Sequence, residues 1–212
     1  MKKSTIWAIV LLIGAYVICQ AVADVGATKI VQLGKVTLPA GTFVFALTFT
    51  IRDLIHKRLG KEWARAAIVC AALFNVFQSG YLALAAQLPY PPFFGLGESW
   101  TAVFSIVPAI TIGSIAAELV SELVDTEVYH WARNKAPQWM AVLWSNMISL
   151  PLDSLIFGFL GFVFLPPFFG AEALPFSVAM GIVGGQIIWK AAVTVVSMPA
   201  IYLVKEKSLL VE

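Results

Sequence analysis

The sequence predicts an all-α integral membrane protein of six transmembrane helices, and three observations carry that prediction. Of its 212 residues, 60% are hydrophobic and only 12% charged, with a mean hydropathy of +0.88. A surface so poor in charge has lipid, not water, as its solvent. Six apolar runs divide the chain, at Thr5–Ala23, Leu38–Ile55, Ala64–Leu88, Trp100–Leu123, Trp139–Leu165 and Leu174–Val204. Each is close to the roughly 20 residues that a helix needs to cross the hydrocarbon core. The alternating strands of about ten residues that build a membrane barrel are absent. Spans and short connections use the whole length, so residues 1–212 read as one transmembrane domain with no room for a soluble catalytic one.

The first run follows Lys2 and Lys3 and ends in Ala21-Val22-Ala23 before Asp24, which has the outline of a secretory signal with a small-residue cleavage site. Its uncharged core is longer than the roughly 7–15 residues of such signals, and it is read as a retained helix. A lipoprotein site at Cys19 is opposed by the bulky Ile18 before it. The second run stops at Arg52-Asp53 and a basic segment; Pro89, Pro91 and Pro92 separate the third from the fourth, and Pro166, Pro167 and Gly170 the fifth from the sixth.

Orientation follows from the basic residues beside the spans. Lys2, Lys3, Lys57, Arg58, Lys61, Arg65, Arg133, Lys135, Lys205 and Lys207 fall on one side, against Lys29 and Lys35 on the other. Both termini are therefore expected in the cytoplasm. Trp63, Trp131 and Trp139 fit the inner aromatic belt, and Tyr90, Phe93 and Trp100 the outer one.

Several function classes are disfavoured. The net charge of +2 and the short basic runs give no nucleic-acid partner. Cys19 and Cys70 lie in apolar runs without CxxC spacing and read as buried apolar side chains. His56 and His130 read as interfacial side chains, not metal ligands. No HExxH, GxxxxGK[ST] or GxSxG motif is present, so no metal, no cofactor and no enzyme activity are expected. AxxxA spacings at Ala23–Ala27 and Ala67–Ala71 name no partner helix. A second copy of the chain remains a candidate partner beside the lipid bilayer.

The informative residues are the polar ones inside the spans, because an ionisable group there costs on the order of 3 kcal/mol unless it finds a partner or a cavity. Glu118, Glu122 and Asp125 share one face of the fourth span; Asn146, Ser149 and Asp153 form a stripe on the fifth; Gln186, Lys190, Thr194 and Ser197 share a face of the sixth. Arg52 and Asp53 lie near the end of the second, behind Phe45 and Phe49, and Asn75 and Gln78 mark the third. Arg52, Asp53, Glu122 and Asp125 are near enough to an interface to snorkel or pair structurally. Asp153 and Lys190 are too deep for that, and are expected to face each other in a polar cavity, either as a structural pair or as part of a solute site. Phe49 and Trp189 are aromatics able to stack on a flat ligand, though packing or lipid contact explains them equally.

Four fragments resemble the queuosine precursor transporters, also called the vitamin uptake transporter family. They are Pro39-Ala40-Gly41 with Leu47-Thr48-Phe49-Thr50-Ile51-Arg52-Asp53 and Leu59-Gly60-Lys61; Glu122-Leu123-Val124-Asp125; Ser145 through Phe157, containing Ser149 and Asp153; and Lys190 with Pro199 and Tyr202. Glu122 stands where that family has Gln, and Asp24 where it has Asn in the first outer loop. The resemblance implies a six-helix transporter, similar to the substrate-binding subunits of energy-coupling-factor vitamin transporters, taking up 7-cyano-7-deazaguanine or 7-aminomethyl-7-deazaguanine. It implies that Asp153 and Glu122 accept the paired N–H groups of the base, that Lys190 donates to its ring carbonyl, and that Asn146 and Gln186 complete the polar edge. Asp53, Glu118 and Asp125 are the second choices. The alternative it leaves is a binding subunit that needs separate ATPase partners.

Overall fold

The computed structural model describes residues 3–203. The side chains at 3–5, 53, 56, 57, 61, 126, 129, 130, 133, 138, 142 and 197–203 lie outside the described set, and Asp53, His56, His130, Ser197, Pro199 and Tyr202 are among them. The protein is an all-α membrane protein with one small hairpin. Helix α1 (Lys3–Gly26) leads into strands β1 (Ile30–Leu33) and β2 (Val36–Pro39), then α2 (Gly41–Leu59) and α3 (Lys61–Gln87). A short α4 (Gly97–Phe104) precedes α5 (Val107–Arg133), α6 (Gln138–Phe159) and α7 (Phe176–Leu203).

Five helical stretches are long and apolar enough to span a bilayer, at Ile6–Gly26, Glu62–Gln87, Gly97–Asp125, Trp139–Phe164 and Phe176–Val196. The sixth expected span, on α2, is apolar only over Gly41–Arg52. A guanidinium halfway along a helix needs a partner to stay in lipid, and Arg52 has one in Glu122 of α5. Elsewhere large apolar side chains such as Leu11, Phe77, Leu123, Met147 and Val196 are exposed, which is the outer surface that acyl chains require. Cys70 belongs to this surface and Cys19 is half-buried; both are free thiols, so the expected burial of the pair is corrected.

The packing of neighbours closes a ring in the order α1, α2, α7, α6, α5, α3 and back to α1, with α1 also touching α5 across it. Successive spans run up and down, so the ends of residues 3 and 203 share one side (the terminal side) and the β-hairpin marks the other. The apolar pattern does not predict the hairpin. Its strands are four residues each, paired from Ile30↔Pro39 to Leu33↔Val36, and Gly34 adopts φ 62° at the first place of the two-residue turn. That conformation is open to glycine at no steric cost.

Two span boundaries also differ from expectation. The expected fourth span divides at Ser105–Ile106 into α4 and α5; Pro108, at the start of α5, has no N–H to donate to the preceding turn and so suits a first helical turn. The fifth span carries Pro151 within α6 and continues past Phe159 as a π-turn over Leu160–Phe164. Gly41 lets α1 and α2 touch: a Cβ there would lie 2.0 Å from the Ala23 carbonyl oxygen. This contact fixes the hairpin-side half of α1 against α2, where the interior cavity begins.

Candidate functional site

Each helix of the ring turns its small and polar side chains inward. On α6 Ser145, Ser149 and Asp153 recur every fourth residue and all are buried, as are Gln186 and Lys190 on α7. On α1 the inward stripe is Tyr16, Gln20, Ala23 and Asp24. Spacings of three and four keep these residues over one another, and the opposite faces carry the lipid-exposed residues.

At mid-depth the Lys190 ammonium forms an ion pair with the Asp153 carboxylate, and both residues are 2% exposed. Lys190 Nζ also donates to Ser154 Oγ at 3.1 Å and lies 5.0 Å from the centre of the Phe45 ring. Ser121 Oγ approaches the other Asp153 oxygen at 3.4 Å. This pair lines a narrow cavity of about 20 Å³, room for about one water in this conformation, whose other walls include Asp24, Gly41, Thr42, Phe45, Ser114, Phe157 and Gln186. Gln186 is 1% exposed, and its Nε2 has no hydrogen-bond partner among the described residues. A buried amide donor left unsatisfied costs about 1–3 kcal/mol, which a bound acceptor removes. Charges, amides and hydroxyls in this arrangement suit a flat polar heterocycle, with Phe45 and Phe157 supplying aromatic wall.

The carboxylates of α5 are distributed among other helices. Glu118 accepts from the Tyr16 hydroxyl and from Gln20 Nε2, the latter at 2.9 Å. Glu122 is paired with Arg52, whose guanidinium stands 5.6 Å from the Phe49 ring centre. Asp125 accepts from Ser149 Oγ at 2.9 Å. These three, like Asn146 and Phe49, are outside the set that lines the cavity. Glu122, expected beside Asp153, meets Arg52 of α2 instead, and its neighbour Ser121 is the residue that reaches Asp153. Phe49 packs edge-on against Phe45 with ring centres 5.4 Å apart, so Phe45 is the aromatic that reaches the cavity. Removing the Tyr16 hydroxyl should weaken the fold without touching the cavity. Tyr16→Phe is expected to lower stability by about 1.5–3 kcal/mol, the scale of a hydrogen bond to a charged group, read from thermal unfolding in detergent.

Sequence reasoning missed Asp24, Thr42, Ser114 and Phe157 as cavity residues. Asp24 is not in a loop; it is in the last two turns of α1 and 4% exposed, and Asn75 Nδ2 donates to its Oδ2 at 3.0 Å. The stripe on α1 from Gln20 through Asp24 was the signal that could have found it. Among the described residues no group of His, Cys, Asp and Glu is arranged to hold a metal.

Comparison with known proteins agrees with this architecture. A family described as "Putative vitamin uptake transporter" matches residues 39–204. A "Probable queuosine precursor transporter" of Bacillus subtilis (strain 168) is 24% identical over 201 residues, spanning 92% of this chain and 82% of the relative. No solved structure matches significantly. With most of its length matched, from β2 to the end of α7, the chain belongs to the vitamin uptake transporter family of multi-pass membrane proteins.

Proposed function

We propose that this protein imports a queuosine precursor, 7-cyano-7-deazaguanine or 7-aminomethyl-7-deazaguanine, through the cavity beside Asp153 and Lys190. The observation that carries the proposal is a charged pair buried at mid-span against a void that also holds an unpartnered amide donor. A 7-deazaguanine presents a ring N–H and an exocyclic amine side by side, which one carboxylate accepts as two charge-assisted bonds. Asp153 takes that edge, Lys190 donates to the ring carbonyl, and Gln186 supplies the donor that the protein leaves unpaired. Glu122, Asn146, Glu118 and Asp125 then act on the terminal side of the site, as its support and not as its contacts. Asp53 shares the helix of Arg52.

The cavity is lined by the hairpin-side ends of α1 and α2 and by the middle of α6 and α7. With the basic flanks facing the cytoplasm, it lies in the outer half of the membrane, as a site loaded from outside should. The relative from Bacillus subtilis carries a matching description, which supports the choice of substrate.

A salvage assay tests this. The protein is expressed in cells that can neither make nor import the bases and that lack energy-coupling ATPase partners. Each base is supplied at low concentration and queuosine is measured in tRNA. Queuosine should appear with the protein and not without it. Its absence, with the protein present in the membrane, would overturn uptake by the chain alone; appearance only when ATPase partners are added would identify a binding subunit.

A further inference from the structure

The cavity contains a second carboxylate, which the Asp153–Lys190 pair does not balance. Asp24 lies on the cavity wall formed by α1. Its described neighbours are all neutral: Asn75 Nδ2 donates to Oδ2, and the hydroxyls of Thr111 and Ser114 flank it. The ion pairs among the described residues join Arg52 to Glu122, Arg65 to Glu62 and Lys190 to Asp153, and none reaches Asp24. A carboxylate offers about four acceptor positions, so Asn75, Thr111 and Ser114 leave room for one further donor. A carboxylate in a low-dielectric interior either takes up a proton or gains a cation, and none of the ion pairs among the described residues gives Asp24 that cation.

In the ring order α1 and α6 are not neighbours, and Asp24 and Asp153 line the same cavity from these two helices. A ligand whose polar ring edge is held at Asp153 and Lys190 therefore directs its far side toward Asp24.

We infer that Asp24 recognises a protonated primary amine on the substrate, and so sets the preference of the site for a cationic ligand. An ammonium brings both a donor for the open acceptor position and the missing counter-charge. This inference rests on the transport reading and sharpens it. Of the two bases, the aminomethyl compound is the favoured one and the nitrile, neutral at the same position, the poorer.

Binding to the purified chain in detergent decides the matter. Wild type, Asp24→Asn and Asp24→Glu are titrated with 7-aminomethyl-7-deazaguanine and with 7-cyano-7-deazaguanine. Wild type should bind the aminomethyl base at least ~10-fold more tightly, on the scale of one charge-assisted contact. Asp24→Asn should lose at least ~10-fold more affinity for the aminomethyl base than for the nitrile, and unchanged thermal melting shows that the variant is folded. Asp24→Glu should keep the preference. Equal binding of the two bases by wild type overturns the inference, a comparison independent of how any variant folds. So does an equal loss for both bases in an Asp24→Asn protein that melts like wild type. Both results leave the transport reading standing. Binding of neither base by folded wild type overturns the inference and the transport reading together.

Discussion

Asp153→Asn should abolish uptake of the deazapurine while the protein still inserts into the membrane. The substitution keeps the shape of the side chain and removes two things: the second acceptor oxygen of a paired N–H contact and the anion that holds Lys190 in place. Loss of the anion has a structural cost as well. Removing one partner of a buried ion pair costs about 3–5 kcal/mol, because the other charge is left unpaired in a medium that solvates it badly. Lost uptake in the single variant is therefore ambiguous without a companion. Asp153→Leu combined with Lys190→Met removes both charges and leaves none stranded, and replacing a buried pair by apolar side chains of similar size is often neutral or stabilising. The double variant should melt within a few degrees of wild type in detergent and transport nothing. Transport at the wild-type rate by the double variant would show that the pair serves packing alone.

Gly41→Ala is expected to impair folding. The added Cβ would stand 2.0 Å from the Ala23 carbonyl oxygen and 2.8 Å from the Ala27 nitrogen. Both are backbone atoms, so no side chain can rotate out of the way. Relief requires α1 and α2 to separate, which opens the wall that contains Asp24, Ala27 and Thr42. Overpacking of this kind costs about 1–3 kcal/mol and sometimes more, and here it also deforms the cavity. The expected result is a sharp fall in folded protein recovered in detergent, measured by fluorescence-detected size exclusion. A matched change at Gly14, whose Cβ would meet nothing within 4 Å, should be tolerated.

The membrane architecture was legible because lipid solvation writes itself along the whole chain: six apolar runs of the right length leave few other folds. Connections were less legible. Eight strand residues around Gly34 carry too little pattern to stand out beside long apolar runs, and the interruption at Ser105–Ile106 is marked only by Pro108 in the first turn of α5, inside a continuous apolar run. Depth was the informative quantity for the charged residues. Asp153 and Lys190 stood far from either end of their spans, and the structure pairs them. Helical spacing alone put Glu118, Glu122 and Asp125 on one face, but it could not say which neighbour each would meet. The structure gives Glu118 to α1, Glu122 to α2 and Asp125 to α6. Asp24 was hidden for a different reason. A carboxylate at the end of an apolar run reads as the start of a loop, and its spacing of four from Gln20 becomes informative once the helix is seen to reach Gly26, where Asn75 of α3 meets it.

The central claim is that the base occupies the cavity walled by Asp153, Lys190 and the hairpin-side half of α2, and ligand protection of a cysteine placed there tests it most directly. Thr42, buried on that wall, accepts a thiol with little change in size. In a chain with Cys19 and Cys70 changed to alanine, modification of Thr42→Cys by a small methanethiosulfonate should be slowed by a saturating deazapurine. Modification of Cys70 in the parent chain, on the lipid-facing surface, should be indifferent to it. An unchanged rate at position 42, in a protein that demonstrably binds the base, would place the base elsewhere and contradict the account.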